Sequence, residues 1–94
     1  MQDTDQLARI FRALSVDNRI RIVQLLKERT LCVNALAAKL KITPAAVSQH
    51  LRILRDADLL IADKRGNFVH YKVNKAKLEE WQMQANTLLG MDNN

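Results

Sequence analysis

The stretch TPAAVSQHLRIL, residues 43–54, sets long polar donors beside a regular apolar stripe. Ser48, Gln49, His50 and Arg52, with Arg55 just beyond, stand between Val47, Leu51 and Leu54. Their chemistry is that of base and phosphate recognition. The Gln49 amide can donate and accept at once, as an adenine edge requires, and the Arg52 guanidinium can pair with guanine or with phosphate. The Ser48 hydroxyl serves either kind of acceptor. Nothing here suits catalysis: no nucleophile stands beside a base, no Gly-rich phosphate loop exists, and His50 and His70 fall in separate elements. An enzyme is not expected, nor is a bound cofactor.

A helix must hold these groups. Thr43 is a suitable N-cap, and Pro44 suits the first helical position, where its missing N–H costs nothing. Val47, Leu51 and Leu54 then give an i, i+4, i+7 buried stripe. At about 100° per residue, Ala45, Gln49 and Arg52 point away from Val47, while Ala46 and Ser48 lie on the flanks. Small side chains at 45 and 46 allow close approach to base edges. The free N–H groups behind Thr43 offer a phosphate site. His50 projects nearer the buried side. It is read as a partly buried side chain bonding a neighbouring loop, as a phosphate contact, or as a metal ligand; an i+4 His that would favour the last is missing.

The neighbouring elements follow from periodicity. Leu7, Ile10, Phe11 and Leu14 mark a helix over 5–14. Ser15 or Asp17 is placed to cap a second, over 16–29, with Ile20, Val23 and Leu26 on one side and Ile22 and Leu25 widening it. Val33, Leu36, Ala37 and Leu40 mark a short third helix. A brief turn joins it to the Thr43 helix, the spacing of a helix-turn-helix. The period then changes to two: Val69, Tyr71 and Val73 alternate with Phe68, His70 and Lys72 in a predicted β-hairpin tipped by Lys64, Arg65, Gly66 and Asn67. Lys64 and Arg65 there either reach phosphate or a minor groove, or decorate an ordinary turn. Leu78, Trp81, Ala85 and Leu88 mark a last helix over 75–89, before a polar tail. The expected fold is mainly α: a single winged helix-turn-helix domain spanning 1–94, with about five helices and a two-stranded wing.

Charge is distributed to match. The 94 residues carry +5 overall, but residues 39–77 hold nine Lys/Arg against three Asp/Glu, a net +6, and the rest six against seven, a net −1. A basic zone of this kind suits nucleic acid. The lone Cys32 excludes an internal disulfide framework and fits a reducing cytoplasm. The polar start MQDTDQ is unlike a signal peptide, and no apolar run approaches bilayer-spanning length, so no membrane partner is expected.

LARIFRALSVDNRIRIVQLL, LCVNALAAKL, TPAAVSQHLRILRDADLL and GNFVHYKV together resemble the ArsR/SmtB family of bacterial winged-helix repressors, over about residues 5–89. The resemblance implies a homodimer joined through the first and last helices, which puts Leu7, Ile10, Phe11, Leu14, Leu78, Trp81, Ala85 and Leu88 at the interface, although by spacing alone both helices could equally pack on the chain's own core. It implies repression at a pseudo-palindromic double-stranded DNA operator and release by an inducer. It places Ser48, Gln49 and His50 on the recognition helix and residues 64–67 at the wing tip; with Thr43, Ala45 and Arg52 from the helix projection, the expected DNA-contacting set is Thr43, Ala45, Ser48, Gln49, His50, Arg52, Lys64 and Arg65.

The sensing motifs of such repressors are where this chain departs. Asn34 stands where many relatives place a second thiol after Cys32, and soft ions need two or three thiolates. The last helix offers Glu79 and Glu80 without a His, so no metal site is expected. Cys32 is either inert packing near a helix start or a thiol sensor activated by the helix N-terminus. The expected function is a sequence-specific DNA-binding regulator, a dimeric repressor answering an unidentified signal. The alternative is a winged-helix protein-interaction module, which an apolar recognition face would favour.

Overall fold

The computed structural model describes residues 4–91. The first three residues of the start read above for a leader, and the polar tail from residue 92 on, lie outside the described residues. The order is α1 (Thr4–Ala13), α2 (Asp17–Glu28), α3 (Val33–Leu40), α4 (Pro44–Asp56), β1 (Leu60–Arg65), β2 (Phe68–Val73) and α5 (Lys75–Leu88). The strands pair antiparallel, Leu60 opposite Val73 and Arg65 opposite Phe68, so the wing turns on two residues, Gly66 and Asn67. Gly66 takes φ +62° and Asn67 does not go positive, the pattern of a type II′ turn. Lys64 and Arg65, expected in the tip, therefore close the first strand instead.

One core binds these elements. Ile10 and Ala13 of α1, Ile22, Val23 and Leu26 of α2, and Leu36 of α3 meet Val47, Leu51 and Leu54 of α4, with Leu59, Leu60 and Val73 sealing the wing side. The α2 stripe is rotated from the expected one. Ile22 is fully enclosed and Ile20 is 42% exposed, because α2 turns Ile20 toward an open groove beside Leu14, Leu78 and Trp81 of α1's end and α5. Neither Ser15 nor Asp17 caps α2; Val16 stands at the N-cap with extended backbone. The Ser15 hydroxyl donates instead to the Arg12 carbonyl at 2.7 Å, satisfying an orphan acceptor at the end of α1.

Leu31 supplies a pairing that the period of two did not reveal. Its N–H and C=O bond the Tyr71 backbone at 3.2 and 2.8 Å, tying the approach to α3 to the wing. Asn74 caps α5, its side-chain oxygen accepting from the Lys77 N–H, while its own N–H donates to the Leu59 carbonyl. Among the described residues no helix is long and apolar enough to cross a membrane.

The terminal helices divide their apolar residues between the core and solvent. Leu7, Ile10 and Ala85 are buried within the single chain, Leu14, Leu78 and Trp81 are half-buried, and Phe11 and Leu88 are exposed. Phe11 meets Trp81 edge to face, ring centroids 5.2 Å apart. The residues expected at a partner surface are thus split between the chain's own interior and solvent, and Met83, Leu89 and Met91 are exposed as well.

Candidate nucleic-acid interface

Helix α4 begins as its sequence dictates. The Ala46 N–H donates to Thr43 Oγ1 at 3.1 Å, and Pro44 occupies the first turn. That cap limits the anion site expected there. Pro44 has no N–H and Ala46 gives its own to Thr43, so Ala45 alone keeps a free amide in residues 44–46. Val47, Leu51 and Leu54 face inward and are almost fully enclosed. Ala45, Ser48, Gln49, Arg52 and Arg55 are exposed, while Ala46 and His50 are half-buried. The recognition face is polar and cationic rather than apolar.

His50 is held against α2. Burial pushes its pKa below the usual imidazole value; the nearby Arg19 guanidinium lowers it further, and Asp17 partly opposes the shift. The ring is accordingly neutral at pH 7, offering one donor and one acceptor rather than a positive charge.

An open groove of about 300 Å³ separates α4 from the wing, lined by Ser48, Leu51, Arg52, Arg55, Asp56 and Tyr71. Arg55 and Tyr71 join the face here without having been placed on it from spacing. Arg55 follows Arg52 by three positions, a signal that was available. Tyr71 arrives from a different element and could be placed only by the fold. At the wing, Arg65 Nε lies 3.2 Å from Asp63 Oδ2, both substantially exposed, and this pair orients the guanidinium more than it stabilises the fold. Lys64 and Arg65 are exposed.

A further cation had no sequence signal. Lys41, in the three-residue turn between α3 and α4, has φ 58° and ψ 42°, a left-handed conformation that favours glycine. The Ile42 N–H reaches back to the Ala37 carbonyl at 3.2 Å, closing a Schellman motif. Lys41, Arg52, Arg55 and Lys64 form no ion pairs among the described residues. Cys32 sits at the N-cap of α3, half-buried and unpaired, with no side-chain cap bond.

Comparison with known proteins agrees with this architecture. Residues 17–62, from α2 into the wing, match the family described as bacterial regulatory protein, arsR family. The transcriptional repressor SmtB homolog of Synechocystis is 37% identical over 73 residues, covering 78% of this chain but 55% of that protein. The chain therefore spans little more than half of that relative's length. The transcriptional repressor SdpR of Bacillus subtilis is 30% identical, with 76% of this chain and 79% of the repressor aligned. An ArsR-like transcriptional regulator from Rhodococcus superimposes with a TM-score of 0.81 at 27% identity, covering 92% of this chain and 80% of that one. A helix-turn-helix, a two-stranded wing and relatives matched well beyond the motif itself leave one assignment: the chain belongs to the ArsR family of bacterial transcriptional regulators.

Proposed function

We propose that two copies of this chain repress transcription by seating α4 in consecutive major grooves of a pseudo-palindromic operator, and that a chemical signal releases them. The observation that carries this is the exposed face of α4. Ala45, Ser48, Gln49 and Arg52 point outward from a helix whose other side is locked into the core. Thr43, Ser48 and the Ala45 amide suit phosphate and close approach, and Gln49 and Arg52 suit base edges. Half-buried His50, its pKa lowered by burial, leaves phosphate neutralisation to Lys41, Arg55, Lys64 and Arg65.

The terminal helices supply the twofold seam. Phe11, Leu88, Leu89 and Met91 expose apolar surface on the terminal helices and just beyond α5, Leu14, Leu78 and Trp81 are half-buried, and Leu7, Ile10 and Ala85 are buried. A symmetric dimer built on that seam reads half-sites about 34 Å apart. The chain acts as one domain, in the cytoplasm, without catalysis. Cys32 is the thiol to examine as a release switch, because it is half-buried at a helix start.

The test is binding to duplexes selected from a random pool. With about 6–10 phosphate contacts, affinity falls roughly 10³–10⁵-fold between 50 and 200 mM salt. The double variant Gln49→Ala, Arg52→Ala loses sequence preference at about 1–3 kcal/mol per contact while folding normally. Recovery of no preferred duplex, or binding indifferent to salt, refutes the reading.

A further inference from the structure

Three arginines gather around one cleft between α1, α2 and α4. Arg9 and Arg12 stand one turn apart on α1, and Arg19 comes from the start of α2. With Ile53, Asp56 and Ala57 of α4 they line an open cleft of about 400 Å³. None of the three guanidiniums is in an ion pair among the described residues, and Asp56 is unpaired as well. The Arg19 Nε is buried without a hydrogen-bond partner. A buried guanidinium N–H normally finds an acceptor. Here the wall holds three positive charges against one negative, and the floor is aliphatic, with Ile53 still 42% exposed.

We propose that this cleft binds a small carboxylate with an apolar body. The guanidinium fork matches a carboxylate in two parallel hydrogen bonds, and Arg9, Arg12 and Arg19 line the cleft with no ion-pair partner of their own among the described residues. Ile53 and Ala57 provide apolar contact that a bare inorganic anion cannot use. The volume lies within the range of small-molecule sites. Helix α4 is both a wall of this cleft and the helix assigned to DNA, and Asp56 borders the cleft and the α4–wing groove alike. Occupancy therefore bears on the set of α4, a regulatory step that rests on the DNA-binding reading; the ligand site itself does not.

The experiment titrates the DNA-free protein with benzoate, benzyl alcohol and inorganic phosphate, following backbone amide resonances. Benzoate should give saturable shifts at Arg19, Ile53 and Ala57, benzyl alcohol none at the same concentrations, and phosphate weaker ones. Arg19→Gln and, separately, the more exposed Arg12→Gln should each weaken benzoate binding about tenfold. Benzoate shifts absent from this cleft, equal binding of benzyl alcohol, phosphate binding as tight as benzoate, or full affinity in both variants would each overturn the site. A second arm measures duplex affinity with and without saturating benzoate. A several-fold change in the wild type that Arg19→Gln abolishes supports regulation, and an unchanged affinity refutes regulation while the amide shifts still decide the site. Failure to bind any duplex refutes the DNA reading alone.

Discussion

Replacing Lys41 with glycine sets stability against the proposed DNA contact. Lys41 holds φ 58° and ψ 42° at the end of α3, where its Cβ crowds the following carbonyl. For a residue with a side chain this conformation costs about 1–2 kcal/mol. Glycine removes that cost but returns about 0.4–1 kcal/mol through its freer unfolded chain. The backbone bonds that define the turn, Ile42 N–H to the Ala37 carbonyl included, need no side chain and survive. The balance is a gain of roughly 0.5–1 kcal/mol, which for a domain of this size raises the melting temperature by about 2–8 °C.

DNA binding should move the other way. Lys41 is exposed, unpaired among the described residues, and two positions before the Thr43 cap of the recognition helix. Losing one phosphate contact lowers the slope of log affinity against log salt by about 0.9. Thermal melts followed by circular dichroism, and duplex anisotropy across a salt series, read the two effects separately. Lys41→Asn is the control, since Asn tolerates the left-handed region without restoring the charge. It should gain part of the stability that glycine gives and share the reduced slope. A Lys41→Gly protein that melts no higher than wild type would refute the strain argument. An unchanged salt slope in both variants would remove Lys41 from the DNA face.

Other perturbations isolate other parts. Thr43→Ala removes the acceptor for the Ala46 N–H and should cost about 1 kcal/mol, read as a lower urea midpoint with an unchanged m-value. For His50 the folded pKa lies below the unfolded one, so the neutral ring's contribution is complete above about pH 6.5 and is lost as pH falls through the folded value. Denaturation at about pH 7.5 and about pH 5 should therefore show a smaller acid penalty in His50→Gln than in wild type, and equal penalties would refute that account. Leu88 is 58% exposed in the single chain, so Leu88→Asp should leave the fold intact yet shift sedimentation from dimer to monomer. Retention of the dimer would move the seam elsewhere.

What was legible in advance tracks how local each feature is. The α4 face is carried by one helix, so a Thr-Pro start and three apolar residues at helical spacing orient Gln49 and Arg52 without knowledge of any neighbour. The wing announces itself through Gly66-Asn67 between alternating runs. The α2 stripe differs from expectation in its Ile20 and Ile22 members, two equally apolar residues; only tertiary packing decides that Ile22 is enclosed and Ile20 faces a groove beside α5. The terminal helices posed the same difficulty more sharply. An apolar stripe looks alike whether it packs on its own chain or on a partner, and here Ile10 turns inward while Phe11, its neighbour, turns out. Lys41 carries no turn signal, since its backbone is set by where α3 must stop for α4 to begin. The arginine cleft lies furthest from inference by spacing. Arg9, Arg19 and Ile53 belong to three helices, and no single helix's periodicity relates them. If that cleft governs release, chains with similar α4 faces can answer different signals, because the reading helix is written locally and the sensing surface is assembled across elements.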